Sequence, residues 1–151
     1  MVRELELLKE WQERLGLLDW AIKLKINCKQ DEMDLGEVAG ETEWSLSIKS
    51  ASIKIISKEE YGERIVPYDF ENILIHELLH LKFGLIDQKI TSYESDVAYE
   101  VRHQLIDDLA RALVMAKRGE TKRKLTCDII TDMKIEELVG GANDRQTKVI
   151  L

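Results

Sequence analysis

The chain has 151 residues, of which 44% are hydrophobic and 34% charged, with a formal net charge of −7. That is the composition of a globular protein, and the length suits one domain with a buried core. The acidic balance leaves no surplus of cations to neutralise phosphates or sit on an anionic bilayer, so neither nucleic acid nor a membrane is expected as a partner.

Residues 3–15 read as an amphipathic helix, with Leu5, Leu8, Trp11 and Leu15 at helical spacing and Gly16 as its stop. The same stretch is too charged to contain the apolar core of a secretion signal, and no later apolar run approaches the ~20 residues of a membrane span. Residues 20–27, WAIKLKIN, alternate strictly: Trp20, Ile22, Leu24 and Ile26 face one way, Lys23, Lys25 and Asn27 the other. This is the pattern of a half-buried strand. A polar loop follows, then two short strands, EVAGETEWSLS and ASIKIIS, with Gly36 and Gly40 marking a turn and a bulge.

After Pro67 the character changes. Asp69 is an N-cap for an apolar-rich helix that Gly84 is expected to end, and a second long helix is expected over 92–118. Beyond Gly119, KLTCDIIT reads as a strand and DMKIEELV as a short helix. The expected architecture is α+β: a single domain over 1–118 with an N-terminal helix, a short mixed sheet and two long helices, then a partly ordered C-terminal extension over 119–151. Cys28 and Cys127 form no Cys-x-x-Cys pair, so reduced thiols and a cytoplasmic location are expected.

The first long helix contains His76-Glu77-Leu78-Leu79-His80. Histidines at i and i+4 lie about 40° apart on a helix, so both imidazoles can reach one ion. The intervening carboxylate is displaced by about 100° and can reach a water on the ion's open side. Neutral nitrogen ligands with a nearby general base are what zinc hydrolysis requires. The plain alternative is two histidines spaced by accident. Against it, Leu74, Leu78 and Leu81 on one side and Ile75, Leu79 and Phe83 on another bury the helix nearly all round, leaving Glu71 and Lys82 for water. Buried imidazoles and a buried carboxylate need partners, which a metal and its water supply together.

Zinc needs one more protein ligand if a position is to stay open for water. In the second helix Ala98, Leu105, Ile106, Leu109 and Leu113 define the expected core stripe. His103 lies at its edge and is the favoured ligand, with Glu100, further toward the polar side, as the rival. Asp107, one turn later, is placed to accept the proton of the other ring nitrogen of His103.

With these residues the chain resembles the zincins, the H-E-x-x-H zinc metallopeptidases. In particular it resembles minimal gluzincin-like peptidases and phage- and prophage-borne metallopeptidases. The resemblance spans roughly residues 1–118 and is specific only at 76–80. It implies a small zincin-like domain and zinc-dependent hydrolysis of a peptide or protein substrate, with His76 and His80 as metal ligands and Glu77 as general base and acid. Gluzincins place a glutamate on the following helix, so His103 as ligand departs from that pattern. The resemblance further implies that a strand beside the cleft pairs with substrate; ASIKIIS is a candidate for that role, and a plain sheet strand accounts for it equally well. Tyr61, Tyr68, Tyr93, Tyr99 and Arg102 are candidates for stabilising the transition state.

Two other readings stand beside this one. A metal-stapled, non-catalytic interaction module would not need Glu77. A zinc-dependent endoribonuclease would have glycine at 77 and a third histidine near Gln88, and its RNA substrate would suit a basic chain. A third possibility concerns the tail, where Cys127 or Asp128 could reach the metal as a latency device, although a structural strand accounts for the same residues.

Overall fold

The structure, a computed structural model, describes residues 2–90 and 96–120, with residues 85–90 and 96 as backbone only. Helix α1 (Val2–Arg14) is followed by strand β1 (Ala21–Cys28), a single 3-10 turn at Gln30–Glu32, and strands β2 (Gly40–Ser45) and β3 (Ser50–Ile56). The short helix α2 (Lys58–Tyr61) then leads into the two long helices α3 (Phe70–Ile90) and α4 (Asp96–Arg118). The described residues thus form an α+β fold of four α-helices and a three-stranded sheet. None of these helices is long and apolar enough to cross a membrane. The expected strand and short helix beyond Gly119, with Cys127 and Asp128, lie outside the described residues, as do 92–95 of the second long helix.

The sheet has the order β1-β3-β2, with β1 parallel and β2 antiparallel to β3. β3 is therefore the central strand, hydrogen-bonded along both edges. Of the two readings of ASIKIIS the plain sheet strand holds and the substrate-pairing one does not, because neither edge of it is open to another chain. The edge that faces α3 belongs to β2. The irregularity in the sheet lies between Lys25 and Cys28 of β1, where Asn27 has φ 55, and not at Gly40, which pairs in register with Ile55.

Alternation on β3 sends Ala51, Ile53 and Ile55 into the core against Leu8 and Trp11 of α1 and Leu74, Ile75 and Leu78 of α3. The strongly alternating β1 contributes Ile22 and Leu24 to the rim of that core. Helices thus cover one face of the sheet in the usual two-layer manner. On the other face charge pairs dominate: Lys54 lies directly opposite Glu41, with 2.7 Å between Nζ and Oε1.

Asp69 caps α3 as expected, its Oδ1 accepting from Asn72 N at 3.2 Å. Gly84 does not end the helix, which continues to Ile90. Its role is close packing. A Cβ there would stand 3.1 Å from Trp44 Nε1 and 3.2 Å from Leu46 Cδ2, so a larger residue would push these side chains back by a few tenths of an ångström.

Glu71, expected at the water-facing side, is instead held between helices. Its carboxylate accepts from Trp11 Nε1 at 2.8 Å, Lys117 Nζ at 2.7 Å and Arg118 Nη2 at 2.8 Å. Arg118 also forks onto Asp69. These bonds join the first turn of α3 to the last turn of α4, which fixes the two helices as antiparallel neighbours.

The core stripe of α4 also differs from the expected one. Ile106, Ala110 and Val114 are buried, whereas Leu105 and Leu109 are 50% and 36% exposed. The helix is rotated so that its polar residues at 103 and 107 face α3. A wheel drawn through the apolar residues alone is therefore misaligned.

Candidate metal centre

The antiparallel pairing of α3 and α4 sets the site. Residue 107 meets residue 76, and residue 103 falls beside both motif histidines. His76 Nε2 and His80 Nε2 lie 3.1 Å apart. One nitrogen from each of His76, His80 and His103 falls within 4.8 Å of the others, the only such metal-capable group among the described residues. Two nitrogens each ~2.0–2.1 Å from a tetrahedral ion stand about 3.3 Å apart, so the motif pair already has nearly the spacing of shared ligands. Three histidines therefore lie close enough together to bind one metal ion. Glu100 is exposed and stands outside the cluster.

The ionisation states suit metal binding. Burial, followed by the neighbouring His76 and His103, pushes His80 down to about 3, and burial also lowers His103. Both rings are thus neutral at physiological pH and offer lone pairs. Asp107 Oδ1 stands 2.8 Å from His76 Nδ1, and this bond holds the Asp107 carboxyl below the usual carboxylate range. The arrangement corrects the expected pairing of Asp107 with His103. The carboxylate reaches across the helix seam to a motif histidine, because the seam between antiparallel helices brings it closer than its own helical neighbour.

Glu77 is 4% exposed. Its Oε2 accepts a hydrogen bond from Thr42 Oγ1 at 2.6 Å. Burial pushes its carboxyl up to about 7, against the opposing pulls of His76 and Thr42. Sequence reasoning missed the two residues that make this possible. Gly40, Thr42 and Trp44 share one face of β2, directed at α3. A Cβ at Gly40 would lie 2.6 Å from Glu77 Oε1 and 2.9 Å from Ile73 Cγ2. Glycine at 40 is therefore the space in which the Glu77 carboxylate sits. Trp44 stacks on His80, ring centroids 6.3 Å apart at 15°. The only trace of this in the sequence is the period-2 spacing of 40, 42 and 44 in a strand close to the motif.

Over the cluster opens a cleft of about 720 Å³, lined by residues 37–42 at the start of β2 and just before it, by His76, Glu77 and His80, and by His103 and Asp107. Of the candidate transition-state residues, Tyr61, Tyr99 and Arg102 line this cleft. The Tyr68 hydroxyl instead donates to Ile56 O at 3.1 Å, and Tyr93 lies outside the described residues. Tyr99 stacks on His103 at 26° between planes. Such a site can hold a divalent cation on three neutral nitrogens, keep a carboxylate beside it, and accommodate a ligand between a strand edge and a helix. Comparisons with protein-family models, with curated proteins and with solved structures return no match.

Proposed function

We propose that the protein is a zinc-dependent peptidase of the zincin type, hydrolysing peptide bonds with Glu77 as general base and acid. The observation that carries this reading is the position of Glu77: a buried carboxylate, oriented by Thr42, adjoining three convergent imidazoles in a cleft bounded by the edge of β2. Three neutral nitrogens with room for a further ligand suit a catalytic rather than a structural zinc site. Held by His76, His80 and His103, zinc would supply Lewis acidity toward a scissile carbonyl and make water acidic enough to ionise near neutral pH.

The chain's own residues do the rest. Asp107 accepts the Nδ1–H of His76, which leaves the Nε2 lone pair directed at the cluster. Thr42 donates to Glu77 Oε2 and so fixes which way the carboxylate faces. Glu77 takes a proton from the attacking water and returns it to the departing amine. The edge of β2, which pairs with no other strand among the described residues, offers backbone N–H and C=O groups to an extended peptide, so main-chain pairing holds the substrate across the histidines.

Glu77→Gln tests the reading. The amide keeps the size of the side chain and can still accept from Thr42, but it cannot accept the proton. Zinc content and melting temperature should match wild type, while hydrolysis of a fluorogenic peptide library falls by at least a hundredfold. Near-wild-type turnover in this variant refutes the mechanism. A zinc-loaded wild type that hydrolyses no library member points to a metal-stabilised interaction module instead.

A further inference from the structure

The cleft continues past the histidines in both directions. Trp44, Tyr99 and Arg102 mark one end. Leu35, Val38, Val66, Asn72 and Arg111 also line the cleft, and with Asn72 one turn before His76 and Arg111 one turn after Asp107 on the antiparallel helix, these two lie on the side away from His80.

The apolar part of this lining is held in place by buried polar groups. Glu41, 4% exposed, pairs with Lys54 on the neighbouring strand, and its Oε2 accepts from the backbone N–H of Asp34 at 2.8 Å and of Leu35 at 3.1 Å. Those bonds hold the loop that sets Leu35 at the cleft mouth. The Tyr61 hydroxyl donates to Val66 O at 2.9 Å and fixes the neighbouring part of the wall. Leu35 and Val66 nonetheless remain 72% and 50% exposed, an apolar wall left open to water beside the site.

Arg111 lines the same cleft from α4. It follows His103 and Asp107 at four-residue intervals, so all three share the face turned toward α3. Its charge acts on Asp107, but that carboxylate is already committed to His76. Arg111 itself makes no hydrogen bond or ion pair among the described residues. Nearby, Asn72 Oδ1 is buried with no partner among those residues. A guanidinium fork that pairs with no carboxylate among the described residues, in a cleft with an exposed apolar wall, matches the acidic side chain of a peptide.

Resting on the peptidase reading above, we propose that the Asn72 end of the cleft is a specificity site. It selects an extended segment with an apolar side chain against Leu35, Val38 and Val66 and an acidic side chain on Arg111. Arg111 lies ~12 Å along the helix axis from His103. An extended peptide advances ~3.3 Å per residue, so the acidic position falls about two to four residues from the scissile bond.

The test uses full-length, zinc-loaded protein and a fluorogenic peptide library varied at four positions on each side of the cleaved bond. Wild type should favour Asp or Glu over Asn or Gln at one position by about fivefold or more in kcat/KM, the scale of a partly exposed charge pair. Arg111→Lys should retain that ratio in part, Arg111→Ala should erase it, and Arg111→Glu should turn it toward Lys. If Arg111 only supported Asp107, its loss would lower hydrolysis of all peptides alike and leave the ratio unchanged, which overturns the proposal while sparing the peptidase reading. A zinc-loaded wild type that cleaves no peptide overturns both.

Discussion

The Asp107 carboxylate stands 2.8 Å from Nδ1 of His76, joining α4 to the motif helix across 31 positions of sequence. One bond does two things. It selects the tautomer of His76 whose other nitrogen faces His80 and His103, and it ties α4 to α3 in the rotation that brings His103 into the cluster. That rotation also buries Ile106, Ala110 and Val114, while Leu105 and Leu109 are left partly in water.

Zinc titration of single variants should therefore give a graded order. His76→Ala and His80→Ala should abolish tight binding, and His103→Ala should weaken it strongly. Asp107→Ala should cost about 10- to 100-fold, the usual loss when the partner of a ligating histidine is removed. Glu100→Ala should bind as wild type does, since that side chain is exposed and outside the cluster. Loss of zinc in Glu100→Ala with retention in His103→Ala would refute this ligand set. Because zinc would bind the folded state, excess metal should also raise the melting temperature of wild type and not of His76→Ala.

Gly40 and Thr42 should matter as much as the motif itself. A methyl group at 40 would overlap Glu77 Oε1, so Gly40→Ala should displace the carboxylate and destabilise the fold by about 1–3 kcal/mol, as overpacked sites do. Thr42→Val keeps the shape of the side chain but removes the donor to Glu77. It should reduce peptide hydrolysis while leaving zinc stoichiometry at the wild-type level. Unchanged kcat/KM in both variants would show that the seating of Glu77 is irrelevant to turnover.

The clasp at Glu71 predicts a pH dependence of stability. Burial acts to raise the Glu71 carboxyl, but hydrogen bonds from Lys117, Trp11 and Arg118 outweigh it and hold it below its ordinary 4.5. The folded chain thus binds this proton less readily than the unfolded chain. The resulting stabilisation is present in full above pH 4.5 and is lost as the pH falls through the lowered value. Glu71→Gln should flatten the denaturant-measured stability profile below pH 4.5 and cost about 1–2 kcal/mol at pH 7. An acid limb as steep as that of wild type would exclude this group as its source.

Local pattern carried much of the architecture. The alternation of WAIKLKIN placed β1, Asp69 marked the start of α3, and the i, i+4 spacing of His76 and His80 placed two imidazoles on one helical face. Each of these follows from a backbone period of 2 or 3.6 residues, which is a property of the chain itself. What tertiary structure decided is which groups meet. Gly84 looked like a helix stop because its identity says only that a side chain is missing there; the approach of Trp44 and Leu46 says why. ASIKIIS was recognisable as a strand, but its place in the middle of the sheet depends on pairing with β1 and β2 from both sides. Glu71 has the composition of a surface residue and becomes a clasp only when α1 and the end of α4 reach it. Asp107 sits one turn from His103 in sequence, yet the antiparallel packing of two helices gives it to His76. Periodicity reports which face of an element is apolar. It does not report what stands opposite the polar residues on that face, and in this protein those residues make up the site.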